Sequence, residues 1–369
     1  MPSSTARATR EADYSQPARS ARPLWTPLSI ATLTLLGGAA AVLRFSFLVR
    51  KPFWFDECFS VEVARLGWTD FCRLMWRREA NMSLYYLLLR GWLHFGSSPF
   101  FIRSLSVIIS LVTLPAIFWL ASRLFDRRVG LLAVALMSFN AFHIRYAQEA
   151  RSYSLFVLLA ILSSGFFVSA LREPSLRNRC GYVLASVLAV YAHLYALLLL
   201  AAQWLSVRRE KARARPLRGG GIWIGLASLP LIVFAAKTGA GPIRWIQRPG
   251  LHDLLHFMEQ MAGNDGFFLF ALYAAACLAA IAPYEGKRGL SRTQAKSDGW
   301  SVRFLVIWLL SPVVFILLLS LARPLFLGRY FIFCLPALVI LAAAGLAKLH
   351  PAWLLGVALG IMLLLSLQG

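Results

Sequence analysis

Residues 51–60 read Lys51-Pro-Phe-Trp-Phe-Asp-Glu-Cys-Phe-Ser60. They follow the first long apolar run and set an adjacent acid pair, Asp56-Glu57, among the rings of Phe53, Trp54, Phe55 and Phe59. Two readings are open here. In one, Asp56 is the N-cap or first-turn acid of a short helix through about Arg65, stabilised by the helix dipole. In the other, a pair of carboxylates at a membrane boundary is there for chemistry, since burying charge near lipid needs a reason. The chain has only 16 Asp and Glu among 369 residues, so where each one falls is informative.

Working outward, the composition is that of a membrane protein. Hydrophobic residues make up 59% and mean hydropathy is +0.65. Apolar windows recur along the whole length, which calls for a polytopic all-α protein rather than a single anchor. Residues 1–23 are rich in Ser, Arg, Ala and Pro and read as a disordered basic tail. Residues 24–369 read as one transmembrane domain. Its first apolar stretch, about Trp25 to Leu48, is too long for a signal-peptide core and reads as an uncleaved span. The net charge of +22 fits cytoplasmic loops and anionic headgroups, and nucleic-acid binding is not expected. The five cysteines form no CxxC, and Cys58 and Cys72 share one loop, where a disulfide is an option if that loop is extracytoplasmic. His252 and His256, four apart, would share a helix face, but no acid or thiol is required beside them, so no metal ligand set is assigned.

The Arg/Lys bias sets the expected topology. Arg7, Arg10, Arg19 and Arg22 put the N-terminus in the cytoplasm, and residues 49–99 then lie outside. That loop should hold three short helices: Asp56 to Arg65, one capped by Thr69 to about Arg78, and Leu84 to Phe95 capped by Ser83. The third is apolar but too short to cross, and Arg90 and His94 argue for the interface. Further spans are expected over about 100–124, 129–144 and 154–171. Residues 181–207 are flanked by basic clusters on both sides, so they read as two short spans with a turn at Tyr191-Ala-His-Leu-Tyr195. Spans over about 222–237, 266–283, 304–321, 330–348 and 351–367 follow, with an outer loop at 238–265 and a basic inner loop at 285–303. The total is about eleven crossings. Asp56, Glu57, Glu149, Arg151, His193, Tyr195, Arg323 and Arg329 all fall on the outer side. Acids there offer a general base, and arginines offer a forked anion site suited to phosphate.

Taken in order, five landmarks resemble the GT-C membrane glycosyltransferases, in the branch of protein O-mannosyltransferases and aminoarabinose transferases. They are Phe53-Trp-Phe-Asp-Glu57, Leu84-Tyr-Tyr-Leu-Leu-Leu-Arg90 with Gly96 and Arg103, Gln148-Glu-Ala-Arg-Ser-Tyr153, Tyr191-Ala-His-Leu-Tyr195, and Arg329-Tyr330 with Pro336. The resemblance covers about residues 25–349. It implies extracytoplasmic transfer of a sugar from a polyprenyl-phosphate donor, with inversion, to a glycan, lipid or protein acceptor. It implies Asp56 as general base, with Glu57 orienting it or binding sugar. Arg329, Tyr330 and Arg151 would hold the donor phosphate, Glu149 would bind sugar hydroxyls or place an arginine, and His193 and Tyr195 would flank the headgroup. It also implies an integral protein of the bacterial inner membrane. The sequence departs from the pattern at Asn81-Met-Ser83, where many relatives have His-Pro-Pro, so Asn81 is the site candidate at that corner. Cys58 and Phe59 stand where aminoarabinose transferases carry a basic residue. No large soluble C-terminal domain is expected, which leaves acceptor recognition to the outer loops. A divalent metal is compatible with the acid pair and not required by it. The competing classes are a transporter or flippase for a lipid-linked glycan, which needs midplane polar groups and broken helices, a structural membrane subunit, and a ligase using diphosphate-linked glycans.

Overall fold

A computed structural model describes residues 24–46, 48–208, 217–238, 246–263, 266–282 and 292–368. The described chain is helical, with no strand among the described residues. Helix α1, Pro27–Phe45, starts on a capping box in which Thr26 and Ser29 satisfy each other's backbone donors, with Pro27 at the first turn. Three short helices follow: α2, Phe55–Arg65; α3, Trp68–Arg77; and α4, Ser83–Trp92. The next six are α5, Pro99–Leu124; α6, Arg127–Phe139; α7, Ala141–Ala147; α8, Tyr153–Arg172; α9, Leu176–Ala192; and α10, Ala196–Val207. The last are α11, Arg218–Thr238; α12, Leu251–Ala262; α13, Phe267–Ile281; α14, Arg292–Ser320; a 3-10 turn, Gly328–Cys334; α15, Leu335–Leu346; and α16, Ala352–Ser366.

Among the described residues, six helices are long and apolar enough to cross a bilayer, or eight if two bent pairs each count as one span. The expected eleven is therefore larger than length and apolarity support. The difference lies in α10 and α16, of 12 and 15 residues, and in α9, of 17, which are short for a crossing. The expected span at 129–144 is bent by 61° between α6 and α7. The cause is Asn140, which ends α6 and caps α7 by accepting from the His143 N–H at 2.9 Å. Residues 292–303, expected in an inner loop, instead begin α14. Residues 283–291 of that loop, and 239–245 and 264–265 of the 238–265 loop, lie outside the described residues, as do residues 1–23.

The core is built by α5, α6, α8, α9 and α15, whose inward faces are closed to solvent. Close backbone approach matters most at Gly345 of α15, where a Cβ would sit 1.8 Å from the Ala276 carbonyl of α13. Lys348 completes that contact by donating to the carbonyls of Ala279, Ala280 and Ala282 at 2.8–3.0 Å, which closes the end of α13. Arg44 is buried where α1 meets α5, α6 and α7. All five of its donors are used: Ser110 Oγ at 2.8 Å, the carbonyls of Ala40, Ser138 and Met137 at 2.9–3.2 Å, and His143 Nδ1 at 2.9 Å. Gln148 Nε2 then caps the end of α1 by donating to the carbonyls of Leu43, Arg44 and Ser46 at 3.1–3.3 Å.

Candidate active site

The acid pair opens α2, and the structure splits it. Helix α2 starts at Phe55 with Trp54 as N-cap, and it is Glu57 that accepts from the Trp54 N–H, at 3.4 Å. Asp56 is thus a first-turn acid, as one reading expected, while the capping bond belongs to its neighbour. The Glu57 side chain is 0% exposed. Arg103 of α5 grips it with two donors, Nε to Oε1 at 2.8 Å and Nη2 to Oε2 at 2.7 Å. The Ala150 N–H adds a third bond to Oε1 at 2.9 Å. Arg103 spends its other donors on the carbonyls of Leu48, Lys51 and Pro52, at 2.7–3.1 Å, and lies over the Phe53 ring. So Glu57 is locked into a knot that fastens the 48–57 segment to α5 and to the 148–152 turn. None of its lone pairs faces an open site.

Asp56, one residue earlier and about 100° round the helix, points elsewhere. Its side chain is 24% exposed, and Oδ2 lies 3.6 Å from Arg329 Nη2 and 3.7 Å from Arg151 Nη2. Arg151 also donates to the Asp56 carbonyl at 3.3 Å and to Ser60 Oγ at 3.4 Å, so the arginine is oriented by the first turn of α2. Arg329, from the 3-10 turn, packs over Trp54 at 5.4 Å and Tyr330 at 5.9 Å. One carboxylate facing two guanidinium groups from distant elements is the central geometry here.

An aromatic wall stands beside it. Tyr330 meets His193 at 5.0 Å and Tyr195 at 5.4 Å between ring centroids. His193 sits at the break between α9 and α10, where a turn was expected, and stacks on Phe156 at 5.0 Å. Its Nδ1 accepts from the Tyr195 N–H at 3.2 Å, which places the ring proton on Nε2. That Nε2 is buried with no hydrogen-bond partner among the described residues. Burial pushes the imidazole down to about 3, with Arg151 and Arg329 adding to the effect, so the group is a neutral donor. Tyr195 itself donates to the Leu325 carbonyl at 2.9 Å and braces the loop before Arg329. Among the described residues no hydrogen bond links Asn81 to Asp56. Its Oδ1 accepts from the Leu194 N–H at 2.9 Å and ties the α3–α4 turn to the His193 break.

Glu149 lies in the field of Arg145, Arg329 and Arg151, and its Oε2 is buried without a hydrogen-bond partner. Burial, aided by Glu57, pushes its carboxyl up to about 7, against the pull of those arginines. Two groups were not legible in the sequence as members of this cluster. Glu79, in the α3–α4 turn, accepts from Tyr86 Oη at 3.4 Å. Burial pushes it up to about 7 while Arg151 and the Tyr86 hydroxyl pull it down and Asp56 pushes it up. Tyr153 Oη is buried without a hydrogen-bond partner in the field of Arg151 and Arg329. Glu79 stands two residues before Asn81, and the scarcity of acids at membrane boundaries is the one signal that could have flagged it. Several unpartnered polar atoms around one carboxylate and two arginines describe a place for a polar ligand.

Among the described residues no group of three His, Cys, Asp or Glu side chains is placed to hold a metal. His252 and His256 stack at 6.3 Å on α12, and His256 pairs with Gln260 at 2.9 Å. Cys58 and Cys72 are separate, exposed free thiols.

Among the described residues six to eight helical spans are long and apolar enough to cross a membrane, and the fold is similar to that of a solved GT-C transferase. Its solved likenesses include ArnT from Cupriavidus metallidurans, an aminoarabinose transferase, in the apo state, with a TM-score of 0.63 at 17% identity. That match covers 90% of this chain and 62% of that one. The same protein bound to undecaprenyl phosphate matches with a TM-score of 0.63 at 16% identity, over 89% of this chain and 62% of that one. The chain thus spans less than two thirds of the length of these structures. No family model and no curated protein sequence matches the chain.

Proposed function

We propose that the chain is a membrane glycosyltransferase that moves a sugar from a polyprenyl-phosphate donor to an acceptor hydroxyl on a glycan, lipid or protein. The observation that carries this reading is the division of the acid pair. Glu57 is consumed by Arg103, while Asp56 is left to face Arg151 and Arg329. In the reaction, the acceptor O–H gives its proton to Asp56 and the oxygen attacks the anomeric carbon. The carbon–oxygen bond to the donor phosphate breaks on the opposite face, so a single displacement inverts that centre. The leaving group is a phosphate monoester anion, stable without a general acid. Arg329 and Arg151 are placed to hold its charge through forked donors. A neutral His193 Nε2–H, the Tyr153 hydroxyl and Glu149 offer hydrogen bonds to phosphate or sugar oxygens. Tyr330 and Tyr195 supply the flat wall against which a sugar ring or the first isoprene unit can pack. The likeness to a fold that holds undecaprenyl phosphate supports a lipid-phosphate donor.

In this reading the protein sits in the bacterial inner membrane, N-terminus in the cytoplasm, with Asp56 outside. The short helices α9, α10 and α16 then cross along with the eight spans, giving eleven.

The transporter alternative gains one observation: a bent α6–α7 pair beside a buried arginine. Every donor of Arg44 is already bonded within the protein, which leaves it nothing for a cargo.

The test is release of polyprenyl phosphate from radiolabelled polyprenyl-phosphate sugars by protein in nanodiscs, for wild type and Asp56→Asn, with and without EDTA. A fall in turnover of about 10²–10⁴-fold in Asp56→Asn is expected. Turnover that survives removes Asp56 from the mechanism. No turnover with any donor, together with movement of labelled lipid between leaflets, transfers the reading to transport.

A further inference from the structure

A second site lies away from the Asp56 cluster. Between α3 and the last turn of α11 is a cleft of about 360 Å³, lined by Trp76, Arg77, Val233, Phe234, Lys237 and Thr238. Helix α3 is strongly two-sided. Phe71 is buried, while Trp68, Arg73, Trp76, Arg77 and Arg78 are exposed. Such a helix, with rings and cations on its outer side, lies in the headgroup layer rather than across the bilayer. The outer face of α11 is apolar, with Ile222, Trp223, Leu226, Leu229, Ile232 and Val233 exposed, as a lipid-facing span requires.

The cleft joins these two surfaces. Arg77 and Lys237 bring like charges into it from different helices, and neither has a carboxylate partner among the described residues. Two cations converging on a partly enclosed space repel unless an anion lies between them. A snorkelling lysine at the end of a span explains Lys237 alone. It does not explain why an arginine from a separate helix lines the same cleft, together with Trp76, Val233 and Phe234. The combination of two cations and an apolar lining matches an amphiphile with an anionic phosphate head. We infer that this cleft binds an anionic glycerophospholipid of the surrounding leaflet, its phosphate between Arg77 and Lys237 and one acyl chain along Val233 on α11. The bound lipid would fix α3 against α11, and through α3 the turn that carries Glu79.

Tryptophan quenching by brominated lipid tests this without reference to turnover. The protein is placed in nanodiscs containing phosphatidylcholine plus a fixed fraction of brominated phosphatidylglycerol or brominated phosphatidylcholine. The expected result is an excess of quenching by brominated phosphatidylglycerol that disappears in Trp76→Phe. Replacing Arg77 and Lys237 by Gln should lower apparent affinity for phosphatidylglycerol roughly ten- to thirtyfold, at about one charge's worth each. The single variants should each give part of that loss. Equal quenching by the two brominated lipids overturns the inference, as does an excess that persists when both cations are neutralised. So does loss of the phosphatidylglycerol excess on adding equimolar polyprenyl phosphate, which would assign the cleft to the sugar donor.

Discussion

Asp56 and Glu57 share a peptide bond and differ completely in situation. Asp56→Asn keeps the shape and removes the base, so turnover should fall about 10²–10⁴-fold with little change in thermal stability. Glu57→Ala does the opposite to the fold: it leaves Arg103 buried without its anion, at a cost of about 3–5 kcal/mol, visible as a lowered melting temperature in detergent. A Glu57→Ala protein as stable as wild type would show that the Arg103 knot is dispensable. Glu79 and Glu149 define the pH response. Both are raised from 4.5 to about 7, so the folded protein retains two protons that an unfolded chain releases near pH 4.5. The stability tied to those protons is complete below pH 4.5 and is lost as pH climbs through 7. For function, ionisation between pH 6 and 8 adds two negative charges beside the arginines that await a phosphate. The donor KM should rise roughly three- to tenfold over that interval, and the double variant Glu79→Gln/Glu149→Gln should flatten the profile. A donor KM that stays level from pH 6 to 8 in wild type would remove both carboxyls from the donor site.

At the scale of elements, the three short outer helices were legible from their local apolar pattern but not in their caps: Thr69 and Ser83, expected as caps, lie inside α3 and α4, which begin after Gly67 and Met82 with no side-chain capping bond. The structure adds side-chain caps that the sequence reading did not assign, at Ser98, Asp126 and Ser175. The break at His193 was legible for a different reason, the basic clusters on both flanks. Asn140 was not, because an Asn inside an apolar run looks like any tolerated polar residue until α12 arrives. Its Nδ2 donates to the carbonyls of Met261 and Ala262 at 3.1–3.2 Å, a contact 121 residues away in the chain. The same limit applies to the site. Sequence could bring Asp56, Arg151 and Arg329 to one side of the membrane through charge bias, but the partner of each acid depended on packing. Arg103, 46 residues from Glu57, decided which carboxylate was spent. Helix packing also carries its own prediction. Gly345→Val would drive a side chain into the Ala276 carbonyl, so the protein should fail to accumulate in the membrane while Gly356→Val, where nothing stands within 4 Å, is tolerated.

At the scale of the whole molecule, the proposed topology places Cys58 and Cys72 on the same face as Asp56, and Cys180 on the other. All three thiols are exposed, while Cys277 and Cys334 are buried. A membrane-impermeant maleimide applied to intact spheroplasts should label Cys58 and Cys72, and reach Cys180 only after lysis. Labelling of Cys180 before lysis would invert the topology. One further consequence follows from Arg44. Apart from the Ala40 carbonyl on its own helix, its acceptors lie on Ser110, Met137, Ser138 and His143, which are synthesised some 66 to 99 residues after it. When α1 leaves the ribosome and enters the bilayer, none of them exists yet. The guanidinium must wait at the lipid–water boundary and withdraw into the protein only when α5 and the bent α6–α7 pair are inserted beside it. Biogenesis therefore has an ordered late step, in which α1 settles only after the helices that follow it in the chain.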